Sequence, residues 1–128
     1  MKILRLLLRV LISALLLGSS VTAMAHHSNT PYDMAKTLKA TGTVEKADFK
    51  NPHSSMTLAD DGGSVTYEGH SLATLRHYGL HPNMVKIGDK ITISYAPRRD
   101  GKPGGIFVAV TTATGEVLDF SHLGYEEP

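Results

Sequence analysis

His26, His27 and His53 are the residues of this chain best suited to chemistry. His26 and His27 follow Ala23-Met24-Ala25, whose two alanines are the small residues that a signal peptidase reads at the third and first positions before its cut. Cleavage after Ala25 makes His26 the first residue of the mature chain, so a free amine and two imidazoles fall within two residues. The amine and imidazole of His26 close one chelate ring, and His27 or His53 can add a third nitrogen. Cu(II) prefers a square-planar set of nitrogen and oxygen donors, so the pattern points to copper. An α-amine has a pKa of about 7.7–8.0, and a metal can displace its proton near neutrality. A cut after Ala23 is also permitted, by Val21 and Ala23. That product starts Met24-Ala25-His26 and binds Cu(II) or Ni(II) through amine, amide nitrogens and imidazole.

The segment upstream reads as a secretory leader, residues 1–25. Lys2, Arg5 and Arg9 carry positive charge ahead of the apolar run Val10-Leu11-Ile12-Ser13-Ala14-Leu15-Leu16-Leu17. This run is shorter than the roughly 20 residues a spanning helix needs, and no later run matches it. The expected product is a soluble protein of a bacterial periplasm, without a membrane span after cleavage.

Removing residues 1–25 from 128 leaves 103, enough for one small domain. Three of the 13 basic residues leave with the leader, so ten face the 12 acidic ones and the mature charge is near −2. A nucleic-acid binder would need a basic stripe to neutralise phosphates, so that class is excluded. Cysteine is absent, which removes thiolate sites, thiol catalysis and disulfides. Any metal must rest on histidine, carboxylate and backbone donors. No Gly-x-Ser-x-Gly elbow, phosphate-binding loop or dinucleotide fingerprint occurs, and the expectation is that the protein is not an enzyme.

The elements that would position the histidines follow from apolar spacing. Residues 26–36 read as an N-terminal arm, 37–120 as a barrel domain and 121–128 as a tail. In the first strand Leu38, Ala40 and Val44 alternate with polar residues, while Ala47 and Phe49 continue on the opposite parity. The slip predicts a β-bulge near Gly42. Strands follow at Ser55–Leu58 and Ser64–Glu68, joined by Asp60-Asp61-Gly62-Gly63 as a hairpin. Ser71 is a good N-cap, Leu72 and Leu75 share one helix face, and Gly79 is the expected stop. Ile91–Tyr95, a strand from Ile106 through Val110, and Val117–Phe120 complete the series. A long bent first strand and a helix between the third and fourth strands predict an all-β fold with one short helix, a small OB-like barrel of five to six strands. An open meander capped by the helix is the competing architecture. The expected core is Leu38, Val44, Met56, Leu58, Val65, Leu72, Leu75, Ile91, Ile93, Val108 and Val110.

Within that frame Asn51-Pro52-His53 lies in the first loop, a position OB barrels use for ligands. His53 is either a metal donor or a brace that donates a hydrogen bond to a loop carbonyl, with Asn51 turning onto its own backbone. Arg98-Arg99-Asp100-Gly101-Lys102, flanked by Pro97 and Pro103, is either a solvated turn or a receiver of acidic groups. His70 precedes the helix and can cap it; His77 faces solvent, and Gly79 separates it from His81. His122 lies in the tail. The metal-independent alternative is a binding module in which Asn51, His53, Arg98 and Arg99 hold a small anion, a glycan or a partner protein.

Several of these pieces resemble the family of small exported bacterial proteins known as domain of unknown function 6152. The resemblance runs from His26-His27-Ser28 and Tyr32-Asp33, through Gly42-Thr43-Val44 and Asn51-Pro52-His53, to Leu75-Arg76, Gly88-Asp89 and Pro97-Arg98-Arg99-Asp100-Gly101. Similar proteins often carry tryptophan before the Asn-Pro-His triplet and an aromatic just after it. This chain has Phe49 before, Ser54-Ser55 after, and no tryptophan. The resemblance implies export and a shared fold, and it implies no activity.

Overall fold

The computed structural model describes residues 30–125. Six strands are present among the described residues: β1 (Leu38–Asp48), β2 (Ser54–Asp60), β3 (Gly63–Gly69), β4 (Lys90–Pro97), β5 (Gly105–Thr111) and β6 (Val117–Asp119). One α-helix, α1 (Leu72–His77), lies between β3 and β4, and 3-10 turns occupy Pro82–Met84 and Ser121–Leu123. The sheet order is β3-β2-β1-β4-β5-β6, and β3 also pairs with β5 at Glu68 and Ile106. That pairing closes five strands into an OB-like barrel and leaves β6 as an extra strand on β5. The closed barrel, rather than the open meander, is the architecture.

β1 can serve both β2 and β4 because it bends. Its register against β2 runs Val44 to Leu58 and then Lys46 to Thr57, so the bulge is at Glu45 and not near Gly42. The slip in apolar parity falls between Val44 and Ala47, where the extra residue lies. Gly42 has a different role. A β-carbon there would stand 2.7 Å from the carbonyl oxygen of Ala59, so glycine lets the two strands approach. A second register shift, between Ser94 and Tyr95 in β4, had no signal in the alternating pattern.

The core is Val44, Met56, Leu58, Tyr67, Leu75, Leu80, Val85, Ile91, Ile93, Phe107, Val110 and Phe120. Four expected members differ: Val65 is half-buried and packs against this core from outside, Val108 is buried but does not belong to it, and Leu38 and Leu72 depart further. Leu38 is 46% exposed, because it opens β1 opposite Tyr95, beyond the closed part of the barrel. Leu72 is half-buried at the first position of α1, and Leu75 with Leu80 fills the space beneath the helix. Residues 105–108 of β5 are all buried, so this strand is covered on both sides. Phe107 faces the core, and its ring occupies the place where a β-carbon on Gly69 would project. Ile106 joins Ala96 and Tyr32 in a second, smaller cluster.

That second cluster ties the chain ends to the barrel. In the expected arm, Tyr32 is 2% exposed and bridges to Arg98, and the Asp33 amide donates to the Pro97 carbonyl at 2.8 Å. Residues 30–36 therefore pack on the barrel as part of the domain; residues 26–29 of that arm lie outside the described residues. The expected tail is likewise attached as far as Tyr125. Phe120 is fully buried, Leu123 packs on the core, and Tyr125 reaches the second cluster.

Candidate functional site

The β1–β2 loop carries the Asn-Pro-His triplet, and its partners are on α1. The Asn51–Pro52 peptide is cis. Asn51 Oδ1 accepts from the Ala73 amide at 3.1 Å, and the Lys50 carbonyl accepts from the Leu72 amide at 3.0 Å. Ser71 Oγ accepts from the Thr74 amide at 3.1 Å. The amides at the start of a helix have no partner within it, and these three acceptors satisfy them. Asn51 is thus a brace for α1 rather than for its own turn, and Ser71 rather than His70 supplies the side-chain cap. His70 is 3% exposed, and its carbonyl accepts from the Ser54 amide at 3.2 Å.

His53 projects from the same loop into different surroundings. Its ring is half-buried, and Nδ1 is enclosed with no hydrogen-bond partner among the described residues. The expected bond from His53 to a loop carbonyl is therefore not made through Nδ1. Tyr125 stacks on the imidazole with centroids 6.5 Å apart, and Tyr125 in turn meets Tyr32 edge-on at 5.6 Å. Tyr32 lines a cavity of ≈ 360 Å³ together with Thr66, Glu68, Arg98, Pro103 and Gly105. Burial first, and then the neighbouring Glu68 carboxylate, raise the Tyr32 phenol above its ordinary value. The result is one continuous group, Glu68, Tyr32, Tyr125 and His53, on the face where the N-terminal residues dock.

The basic loop is internally paired. Arg98 donates from Nε to Asp100 Oδ1 at 2.9 Å and from Nη2 to Oδ2 at 2.6 Å. The Arg98 guanidinium, helped by the Lys102 amide, pushes the Asp100 carboxyl down to about 2. Arg99 donates from Nε to the Thr30 carbonyl at 3.1 Å, and its amide donates to the Pro31 carbonyl at 2.9 Å. Both arginines thus serve the turn and the docked N-terminal residues. The side chain of Arg98 also borders the cavity beside Tyr32.

Among the described residues, no group of three or more histidines and carboxylates is placed to hold a metal. His26 and His27, and with them the leader and its cut, lie outside the described residues. The other histidines are elsewhere: His77 and His122 flank the Tyr78 ring at 4.9 and 5.1 Å, and His81 borders a cavity with Arg76 and Met84. Asp60 caps its own hairpin by accepting from the Gly62 amide at 2.7 Å. Sequence reasoning brought His53 forward and missed Tyr32, Glu68 and Tyr125 as its surroundings. An aromatic residue in an otherwise polar arm was the available signal for Tyr32; Glu68 had none, since only barrel closure sets it beside the arm.

No curated protein matches the chain. A family model does match it, from residue 14 to residue 108, across the docked N-terminal residues, the triplet loop and the basic loop. The chain accordingly belongs to the family of unknown function DUF6152.

Proposed function

We propose that this is an exported β-barrel protein that binds copper through the histidines of its mature N-terminus. In this reading His26 and His27 supply nitrogen donors, and His53 supplies one from the barrel. The observation that carries it is the docking of residues 30–36 on the face that bears His53. From Thr30 to His26 is four residues, a reach of about 13–14 Å. His53 is two ring contacts from Tyr32, at 5.6 and 6.5 Å, so the N-terminal histidines need not cross the barrel to meet it. The enclosed Nδ1 of His53, which has no hydrogen-bond partner among the described residues, argues against a bracing role for that nitrogen. The protein works as a binding protein and not as an enzyme, in the bacterial periplasm, with no nucleic acid among its partners.

A second reading is supported by the ≈ 360 Å³ cavity beside Tyr32 and Arg98. Here the domain is a metal-independent module for a small anion, a glycan or a partner protein. Pairing of Arg98 with Asp100 counts against the anion, since the guanidinium already holds a carboxylate.

Titration of Cu(II) and Zn(II) into protein that begins at His26 separates the two. The copper reading expects tight Cu(II) binding that disappears when the His26 amine is blocked by one extra residue. Equal binding by blocked and unblocked protein, or none by either, rules it out. Intact mass of the secreted product checks the cut.

A further inference from the structure

We propose that the hollow between the end of α1 and the Pro82–Met84 turn receives a small organic anion, with Arg76 as its anchor; this rests on the anion form of the second reading above and moves it away from the basic loop. Three arginines fall among the described residues. Arg98 holds Asp100 through two nitrogens, and Arg99 donates to the Thr30 carbonyl. The Arg76 side chain makes no ion pair or hydrogen bond among the described residues. A guanidinium offers a planar fork of donors that matches a carboxylate or phosphate through two parallel bonds, and here that fork is unspent.

The surroundings of Arg76 suit an anion. It lines a cavity of ≈ 630 Å³ with His81, Pro82, Asn83 and Met84. That volume is within the range of about 300–1,000 Å³ usual for small-molecule sites. Imidazole and carboxamide can both donate, no carboxylate is among the five residues, and Pro82 and Met84 supply an apolar wall. An oxyanion head on an apolar body fits this set. The cavity beside Arg98 differs on both counts, since Glu68 lines it and Asp100 already occupies the guanidinium. Both walls of the hollow are tied to the core. Gly79, at φ +92°, ends α1 and turns the chain back, and the Leu80 amide donates to the Leu75 carbonyl at 2.9 Å, with both leucines fully buried. The Met84 amide then donates to the His81 carbonyl at 3.0 Å, the His81 amide donates to Met84 Sδ at 3.4 Å, and Met84 packs on the core. Arg76, His81 and Asn83 stay exposed at the rim, so binding costs little desolvation and is weak.

The test titrates hexanoate and hexyl phosphate into isotope-labelled protein, with hexanol as the neutral control, and follows the amide resonances by NMR. Either anion should give saturable shifts among residues 76–84, and hexanol should not. R76Q should weaken the anion by at least about tenfold while keeping the melting temperature, because the side chain holds nothing else in place. R76K, which keeps the charge and loses the fork, should recover only part of the affinity, and it carries the test if R76Q does not fold. Folded R76Q that binds as wild type does overturns the assignment. Saturable shifts at Tyr32, Thr66 and Gly105 in place of residues 76–84 also overturn it, while they keep the second reading with its anion beside Arg98. No saturable shift with either anion overturns this assignment and the anion form of the second reading together.

Discussion

The ring of Tyr125 stands beside the imidazole of His53 in an offset stack, with centroids 6.5 Å and planes only 26° apart. Gly124, at φ +67°, turns the chain from the 3-10 helix Ser121–Leu123 so that the ring can take this position. Residues nearly at the end of the chain thus cover a loop between the first two strands. Tyr125→Ala should expose His53, and reaction of that histidine with diethyl pyrocarbonate should accelerate several-fold. Loss of the aromatic pairs should also reduce stability by about 0.5–1.5 kcal/mol for each pair broken. A modification rate equal to that of wild type, read residue by residue by mass spectrometry, would mean that the ring does not screen the imidazole.

His53 itself should matter little for the fold. Its enclosed Nδ1 makes no hydrogen bond among the described residues, so His53→Ala removes no satisfied polar contact there. The expected loss is that of its ring pair with Tyr125, about 0.5–1.5 kcal/mol, and it is smaller than the drop for Asn51→Ala, which leaves the Ala73 amide without its acceptor. The reverse order in a thermal scan would make His53 the structural residue of the triplet.

Two substitutions on neighbouring strands test the barrel. Ile93 is 0% exposed and Leu38 is 46% exposed, although both occupy apolar positions of alternating strands. Ile93→Ala should cost roughly 2–5 kcal/mol by removing buried volume, a large share of the total stability of a small domain. Leu38→Ala should fall within about 0.5 kcal/mol of wild type, as for other surface changes. Urea unfolding of both variants gives the comparison, and equal losses would contradict the packing described.

Acid should weaken the Arg98 loop in a defined window. Asp100 has its carboxyl held down to about 2 by Arg98, below the ordinary value of 3.8. A carboxylate with a depressed folded value adds stability that is complete above the unfolded value and is lost as pH falls through the folded one. The difference in urea midpoint between wild type and Asp100→Asn should therefore be constant above about pH 5 and shrink toward pH 2. The pair is on the surface, so the difference should be small and should diminish with added salt. A gap that widens as pH falls would contradict this ion pair.

The sequence allowed the strand series, the helix with its Ser71 cap and Gly79 stop, and the closed barrel to be read, because each depends on local period and turn chemistry. It did not locate the bulge at Glu45, since an apolar phase slip identifies an interval rather than a residue. Leu38 looked like core because alternation shows which side a residue faces and not whether the barrel extends that far. Phe107 was not assigned to the core, because β5 is covered on both sides and so loses its period-2 pattern. Phe120 lies just past the short strand β6, where the chain enters a 3-10 turn and alternation no longer applies. The candidate site was half visible. His53 stood out by type and loop, whereas Tyr32, Glu68 and Tyr125 meet only through contacts between residues far apart in the chain.

The meeting of Tyr32 with Tyr125 makes the chain a natural subject for circular permutation. Residues 30 and 125 end on the same side of the barrel, so a short flexible linker can join them without crossing a strand. New ends can be opened at Asp61-Gly62, the hairpin tip between β2 and β3, where only the turn bond from the Gly62 amide to Asp60 is at risk. Such a permutant would keep every strand pairing while having no free amine near His53. It would separate what the barrel does alone from what a processed N-terminus adds, in one molecule that keeps every histidine from His53 onward.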